Sequence, residues 1–108
     1  MNISTDLKQA AITIRNRGRQ AADNNPSNGR RVRRAKDIFK MVMDNRRLFA
    51  FGEVAWITLK GSRGETYSPT LREDGSCVCQ CVDSKNGFLC KHRLALAAAV
   101  IASAANNR

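Results

Sequence analysis

Gly75 to Leu96 reads G-S-C-V-C-Q-C-V-D-S-K-N-G-F-L-C-K-H-R-L-A-L. All four cysteines of the chain, Cys77, Cys79, Cys81 and Cys90, and its single histidine, His92, fall within sixteen consecutive positions of this stretch. Thiolates and imidazole are preferred zinc ligands, and three Cys with one His close a tetrahedral site that has no vacant position. Such a site is structural rather than catalytic. Counted from Cys81, the spacing is C-x-C, eight residues, then C-x-H.

Local geometry explains how these residues converge. On an extended segment, residues two apart point to the same face, so C-x-C delivers two sulfurs to one side. Inside a helix, residues two apart diverge by about 200°. Cys90 and His92 therefore cannot both lie mid-helix. The workable arrangement places Cys90 at or just before a helix start and His92 in the first turn, where the helix dipole favours a thiolate. Because Cys77, Cys79 and Cys81 occupy consecutive alternate positions, two different C-x-C pairs are open on spacing alone.

A disulfide framework is the competing reading of the cluster. Disulfides belong to oxidising compartments, and Met1 to Gln20 is amphipathic and basic, without the continuous apolar run of a secretory leader. A C-x-C bridge is also strained. Metal is the better account. Zinc contributes roughly 10 to 16 kcal/mol in small modules at neutral pH, enough to decide whether this half of the chain folds.

The pattern C-x-C, a variable loop, then C-x-H resembles the SWIM zinc finger, over about residues 54–96. The resemblance implies Cys79, Cys81, Cys90 and His92 as the ligands of one structural zinc ion, because the second cysteine of the family's pair is followed at once by the loop, here Val82 to Leu89. Where the family often carries Pro after that cysteine, this chain has Val82. Cys77 is then a small apolar strand residue. The resemblance also implies a three-stranded β-meander leading into the metal clamp, a C-terminal helix, and roles in nucleic-acid binding or protein contacts. It does not reach the N-terminal residues.

The remaining composition points to a polyanionic partner. The 108 residues carry a net charge of +10 and a pI near 10.4, which favours nucleic acid first and acidic protein surfaces second. Residues 1–47 hold twelve Lys or Arg against four Asp, a net of +8, and residues 48–108 hold seven against five acids, a net of +2. The chain accordingly divides into a basic helical region over 1–47 and a zinc-binding module with its C-terminal helix over 48–108. No apolar run is long enough to span a bilayer, since Ala95 to Ala105 is short and alanine-rich. A soluble intracellular protein of the cytoplasm, nucleoid or nucleus is expected, with no membrane and no small-molecule substrate.

The expected fold class is α+β: two N-terminal helices, then the zinc-binding meander, then a final helix. The first helix is expected over 4–22, capped by Ser4, Thr5 or Asp6, with Leu7, Ala10, Ala11 and Ile14 as its apolar stripe and Gly18 as a weak point. A linker over 23–29 (D-N-N-P-S-N-G) is dense in turn formers and reads as mobile. The second helix is expected over 29–45, apolar at Val32, Ala35, Phe39, Val42 and Met43. Strands follow over 48–54, 56–60, 65–71 and 76–81, with Gly52 as a break and turns at 61–64 and 73–75. The last helix, 90–104, has apolar bulk at Leu96 and Val100 outside its main stripe. Burial on more than one side is expected, against the N-terminal helices or against a second copy in a homodimer.

Arg30, Arg31, Arg33, Arg34, Lys36 and Lys40 form the densest run of cations in the chain. They are the expected phosphate contacts, with Lys91 and Arg93 beside the zinc contributing. DNA is expected before RNA, and phosphate contact carries no sequence preference. Trp56, Tyr67, Phe49, Phe51 and Phe88 read as meander core or as a stacking platform, with Tyr67 and Phe88 the exposed members. The chain contains no Gly-rich phosphate loop and no paired acid and base, and its histidine and cysteines are committed to metal. A binding module rather than an enzyme is expected. The rival is an adaptor or inhibitor, of the kind a phage or mobile element encodes, that presents its surface to an acidic partner protein.

Overall fold

Ser4 starts the first helix. Its hydroxyl oxygen accepts the N–H of Leu7 at 3.1 Å, satisfying one of the donors that a helix start leaves open, and its O–H donates to Glu73 Oε1 at 2.6 Å. The computed structural model describes residues 2–61, 63–87 and 89–106. In it α1 spans Thr5–Asn24 and buries Leu7, Ala10, Ala11, Ile14 and Gly18. Gly18 is therefore a contact point rather than a weak point. A Cβ there would run into the Leu94 side chain, so glycine lets α1 approach the last helix.

The expected linker over 23–29 contracts to one residue. Asn25, at φ −152° and ψ 120°, caps both helices: its N–H donates to the Ala21 carbonyl at 3.1 Å, closing α1, and its Oδ1 accepts the Ser27 N–H at 3.0 Å. Pro26, with no N–H to satisfy, opens α2 over Pro26–Asp44. The turn formers in this segment act as caps. At its other end α2 closes with Arg46 N–H donating to Met43 and Arg47 N–H donating to Val42 at 2.9 Å. These two bonds are the Schellman pattern. Arg46 holds the left-handed position at φ 51°, where glycine is usual.

Four short strands make the main sheet: β1 (Leu48–Phe51), β2 (Val54–Ile57), β5 (Thr70–Arg72) and β6 (Cys77–Val78), antiparallel throughout and ordered β1-β2-β5-β6. Gly52, at φ 59°, takes the first position of the two-residue turn between β1 and β2. Beyond the sheet, β3 (Leu59–Lys60) and β4 (Thr66–Tyr67) form a separate ribbon. The single strand expected over 65–71 is thus split. Pro69 lies at the break, where it has no N–H to give a ladder and its carbonyl accepts the Ile57 N–H at 3.3 Å. β1 falls within the strand expected over 48–54 and forms an edge of the sheet, and the loop after Cys81 contains a short helix, α3 (Val82–Lys85).

The last helix, α4 (Lys91–Asn106), is the centre of the molecule. Ala95, Leu96, Ala97, Ala99 and Val100 are buried, with α1 and α2 packed on one side and the sheet on the other. One hydrophobic core joins Leu7 and Ile14 of α1, Val42 of α2, Leu48, Ile57 and Leu71 of the sheet, and Leu96 and Val100 of α4. It runs across the change in charge at residue 47. Each large side chain fully buried here contributes about 1.5 to 3 kcal/mol as an upper bound. Among the described residues, no helix is long and apolar enough to cross a membrane.

Candidate metal centre

The chain leaves β6 extended, so Cys79 and Cys81 deliver their sulfurs together as alternate positions of one segment. Cys81, at φ −74° and ψ 164°, is also the residue from which α3 starts. Its carbonyl accepts the Lys85 N–H at 3.1 Å. Cys90 is the residue before α4. Its carbonyl accepts the Leu94 N–H at 3.2 Å, and its Sγ accepts the Arg93 N–H at 3.4 Å, as a serine cap would. Because Cys90 lies outside the helix and His92 in its first turn, both reach one point despite being two residues apart.

Cys79, Cys81, Cys90 and His92 are all buried, and their ligand atoms lie within 4.8 Å of one another. Cys79 Sγ stands 3.7 Å from His92 Nδ1. A tetrahedral zinc with bonds of about 2.3 Å to sulfur and 2.0 Å to nitrogen separates such atoms by roughly 3.5 Å. The donor set and its spacing fit one structural zinc ion. Cys77 is not among these four. It packs half-buried against the main core, pairs with Leu71 in the sheet, and burial pushes its thiol up to about 12.

The metal-free electrostatics show what a cation would supply. The Cys79 thiol is raised chiefly by the hydrogen bond it shares with Cys90, and the Cys81 thiol chiefly by burial. Cys90 is held well below the thiol range, first by the bond from Cys79 and further by His92 and the Arg93 N–H. One negative charge is thus favoured among three thiols. A dication removes the penalty on the other two.

Neighbouring side chains fix this group in place. The Tyr67 ring packs on the His92 imidazole, with centroids 5.1 Å apart, and its hydroxyl donates to Glu65 Oε1 at 2.9 Å. Gln80 Oε1 accepts the Ser68 N–H at 2.8 Å, tying the clamp to the bend between β4 and β5. Arg31 Nε donates to Asp83 Oδ2 at 3.0 Å, pinning α3 to α2, and holds the Asp83 carboxyl below the usual carboxylate range. Arg93 Nη1 donates to the Cys77 carbonyl at 3.0 Å.

The expected phosphate contacts therefore separate. Arg30, Arg33, Arg34, Lys36 and Lys40 are exposed on α2, and among the described residues none of them makes an ion pair. Arg31 and Arg93 make the contacts just described within the fold. Lys91 lines a cleft of about 740 Å³ beside the zinc ligands, together with Arg47 and Lys60. Arg47 and Lys60 were not singled out in the sequence, since neither lies in the main basic run and the chain's path alone brings them together. Of the aromatics, Tyr67 serves the imidazole and Phe88 lies outside the described residues. Phe49, 46% exposed, and Phe51, 83% exposed, are the outward ones. Phe49 stacks on Trp56 with centroids 5.9 Å apart.

No curated protein and no solved structure matches the chain. The family model of the SWIM zinc finger matches residues 68–101, starting later than the resemblance over 54–96 and running further into α4. That match takes in the whole clamp of Cys79, Cys81, Cys90 and His92, so over residues 68–101 the chain is similar to the SWIM zinc finger and brings that pattern's ligands together.

Proposed function

We propose that the protein binds nucleic acid through its phosphates, along the exposed face of α2, with the zinc finger as part of the scaffold and no catalytic role. The observation that carries this reading is the set of five exposed cations on one helix, Arg30, Arg33, Arg34, Lys36 and Lys40, with no ion pair among the described residues. Asp37 is the one acid interspersed with them. Cations held in a fixed row and left without carboxylate partners are available to displace the counterions condensed on a polyanion. At 100° per residue, Arg30 and Arg34 fall on the flank that leads to the zinc-side cleft, where Ile38 and Met41 of α2 meet Arg47, Lys60 and Lys91, and where the two acids, Glu65 and Asp83, are hydrogen-bonded to Tyr67 and Arg31. A phosphate chain following that flank passes from the helix to the cleft. These contacts set position and orientation without reading sequence.

A salt series on fluorescein-labelled duplex DNA, single-stranded DNA and RNA tests the proposal, using protein of verified zinc content. Five phosphate contacts on a duplex predict a slope of log affinity against log salt of roughly −4.5. Arg33→Glu with Arg34→Glu abolishes binding near physiological salt while zinc content and far-UV circular dichroism stay unchanged. A slope shallower than about −2, or a double variant that binds as the parent does, refutes the reading.

A further inference from the structure

We propose that the groove between α1 and α2 is a docking site for an acidic amphipathic helix of a partner protein, which inserts one large apolar side chain between the two basic ridges. This site lies away from the flank of α2 that carries Arg30 and Arg34, shares only Lys36 with the phosphate-binding set, and does not depend on nucleic-acid binding.

The groove has a volume of about 200 Å³. Its walls are Val32 and Phe39 of α2 and Gly18 of α1, and its floor is Leu94 and Ala98 of α4. An apolar cavity of about 150 Å³ accepts a benzene-sized group, so this one accepts a single Leu, Phe or Trp side chain. The rim is uniformly basic: Arg15 and Arg19 on α1 face Lys36 on α2, and no acidic residue lines the groove. Arg15 Nε is buried and has no hydrogen-bond partner. A guanidinium already partly stripped of water gains more from a carboxylate than a fully hydrated one does.

The chemistry of the lining selects the occupant. A nucleobase presents both donors and acceptors on its edges, whereas the side chains around the groove are aliphatic, aromatic or cationic. None of them accepts a hydrogen bond. A second copy of this chain would bring another +10 against the same rim. A helix with an apolar anchor flanked by Glu or Asp satisfies floor and rim together. Lying between α1 and α2 over α4, it would sit as a fourth helix in the layer.

The probe is a fluorescein-labelled 16-residue helical peptide with leucines at i and i+4 and glutamates on the flanking turns. Its controls are a scrambled peptide of the same composition and a version with Gln for every Glu. Anisotropy reads affinity, and methyl spectra of wild-type protein locate the site. Binding by the helical peptide, with the largest shifts at Val32, Leu94 and Ala98, is the expected result. Ala98→Leu fills the groove without changing charge and should weaken the peptide about tenfold, with binding of a single-stranded oligonucleotide unchanged. Arg15→Gln with Lys36→Gln should weaken it by at least about as much at low salt. The proposal is overturned if the scrambled peptide binds equally well, or if the shifts fall elsewhere. It is also overturned if Ala98→Leu weakens the oligonucleotide instead, which would assign the groove to a base. The methyl shifts decide the matter even if Ala98→Leu does not fold.

Discussion

Removing the zinc should release the segment from Cys79 to Cys90 and leave the helical core standing. The perturbation is Cys81→Ser, or chelation of the wild-type protein, and the magnitude follows from what else holds that segment. Ordering twelve backbones costs roughly 12 to 24 kcal/mol. Against this stand the partly buried Leu89 on the main core, worth at most about 2 kcal/mol, and few polar contacts: the α3 bonds from Lys85, Asn86 and Gly87, the Ser68–Gln80 bond and the Arg31–Asp83 pair. Each is worth about 1 kcal/mol net. A structural zinc contributes roughly 10 to 16 kcal/mol, the difference between an ordered and a disordered loop. The three buried cysteine ligands also form their own small cluster, with Tyr67 against it. The main core of α1, α2, α4 and the sheet does not include them. The expectation that a lost ligand unfolds the whole C-terminal half is therefore narrowed by the packing.

Hydrogen exchange read by mass spectrometry decides this, alongside zinc content. In Cys81→Ser, amides over residues 79–90 should exchange within seconds, while those of Leu7–Ile14 and Leu96–Val100 keep their protection. Cys77→Ala, which changes no ligand, should retain one zinc per chain and its loop protection. Complete loss of protection in α1 and α4 without metal would refute the reasoning, since the core would then rest on the zinc. Unchanged protection over 79–90 would refute it in the other direction.

Arg46→Gly should stabilise the protein. Arg46 holds φ 51° at the end of α2, a conformation that costs a residue with a Cβ about 1 kcal/mol relative to glycine, so thermal unfolding should rise by about 3 to 6 °C; a fall would show that the side chain is needed there. Zinc affinity should depend steeply on pH. Without metal the released segment leaves Cys79, Cys81 and Cys90 as ordinary thiols, which carry protons below about pH 8.5. Zinc then displaces about three protons, and affinity falls about a thousandfold for each unit of acidification between about pH 7.5 and 6.5. Competition with a chromophoric chelator measures this, and a slope near zero would contradict it.

What the sequence made legible was whatever rested on local periodicity and spacing. The stripe of Leu7, Ala10, Ala11 and Ile14 announces α1 because residues three and four apart share a helix face. Leu96 and Val100 announce a helix buried on several sides because their apolar bulk falls outside one stripe. The clamp was legible for a similar reason. Cys79, Cys81, Cys90 and His92 lie within fourteen consecutive positions, and strand and helix geometry lets each pair converge, while the choice of Cys79 with Cys81 over Cys77 with Cys79 came from the resemblance to the SWIM zinc finger. The misreadings came where one residue type serves two purposes. Asn25 and Pro26 are turn formers and also the best residues for capping and opening a helix, so a compact junction looked like a linker. Gly18 is a poor helix former and also the smallest possible contact, and only the position of Leu94 decides between the two.

Features made by distant segments left no local trace. Arg31 is set apart from Arg30 and Arg33 by Asn28, whose Oδ1 accepts from its Nη1 at 2.7 Å, and above all by Asp83, fifty-two positions away. The same holds for the groove, whose lining comes from α1, α2 and α4. In the sequence, Lys36 of this rim read as a phosphate contact and Arg15 and Arg19 only as part of the net charge of residues 1–47, but the fold divides that charge by position. Arg31 is turned inward to the zinc finger's loop, Arg30 and Arg34 lie on the flank toward the zinc-side cleft, and Lys36 joins Arg15 and Arg19 around an apolar floor. A single basic run thus supplies a structural tie, a phosphate face and one side of a groove. Which of these a given arginine serves is set by its 100° step around α2 and by what the rest of the chain brings against that side.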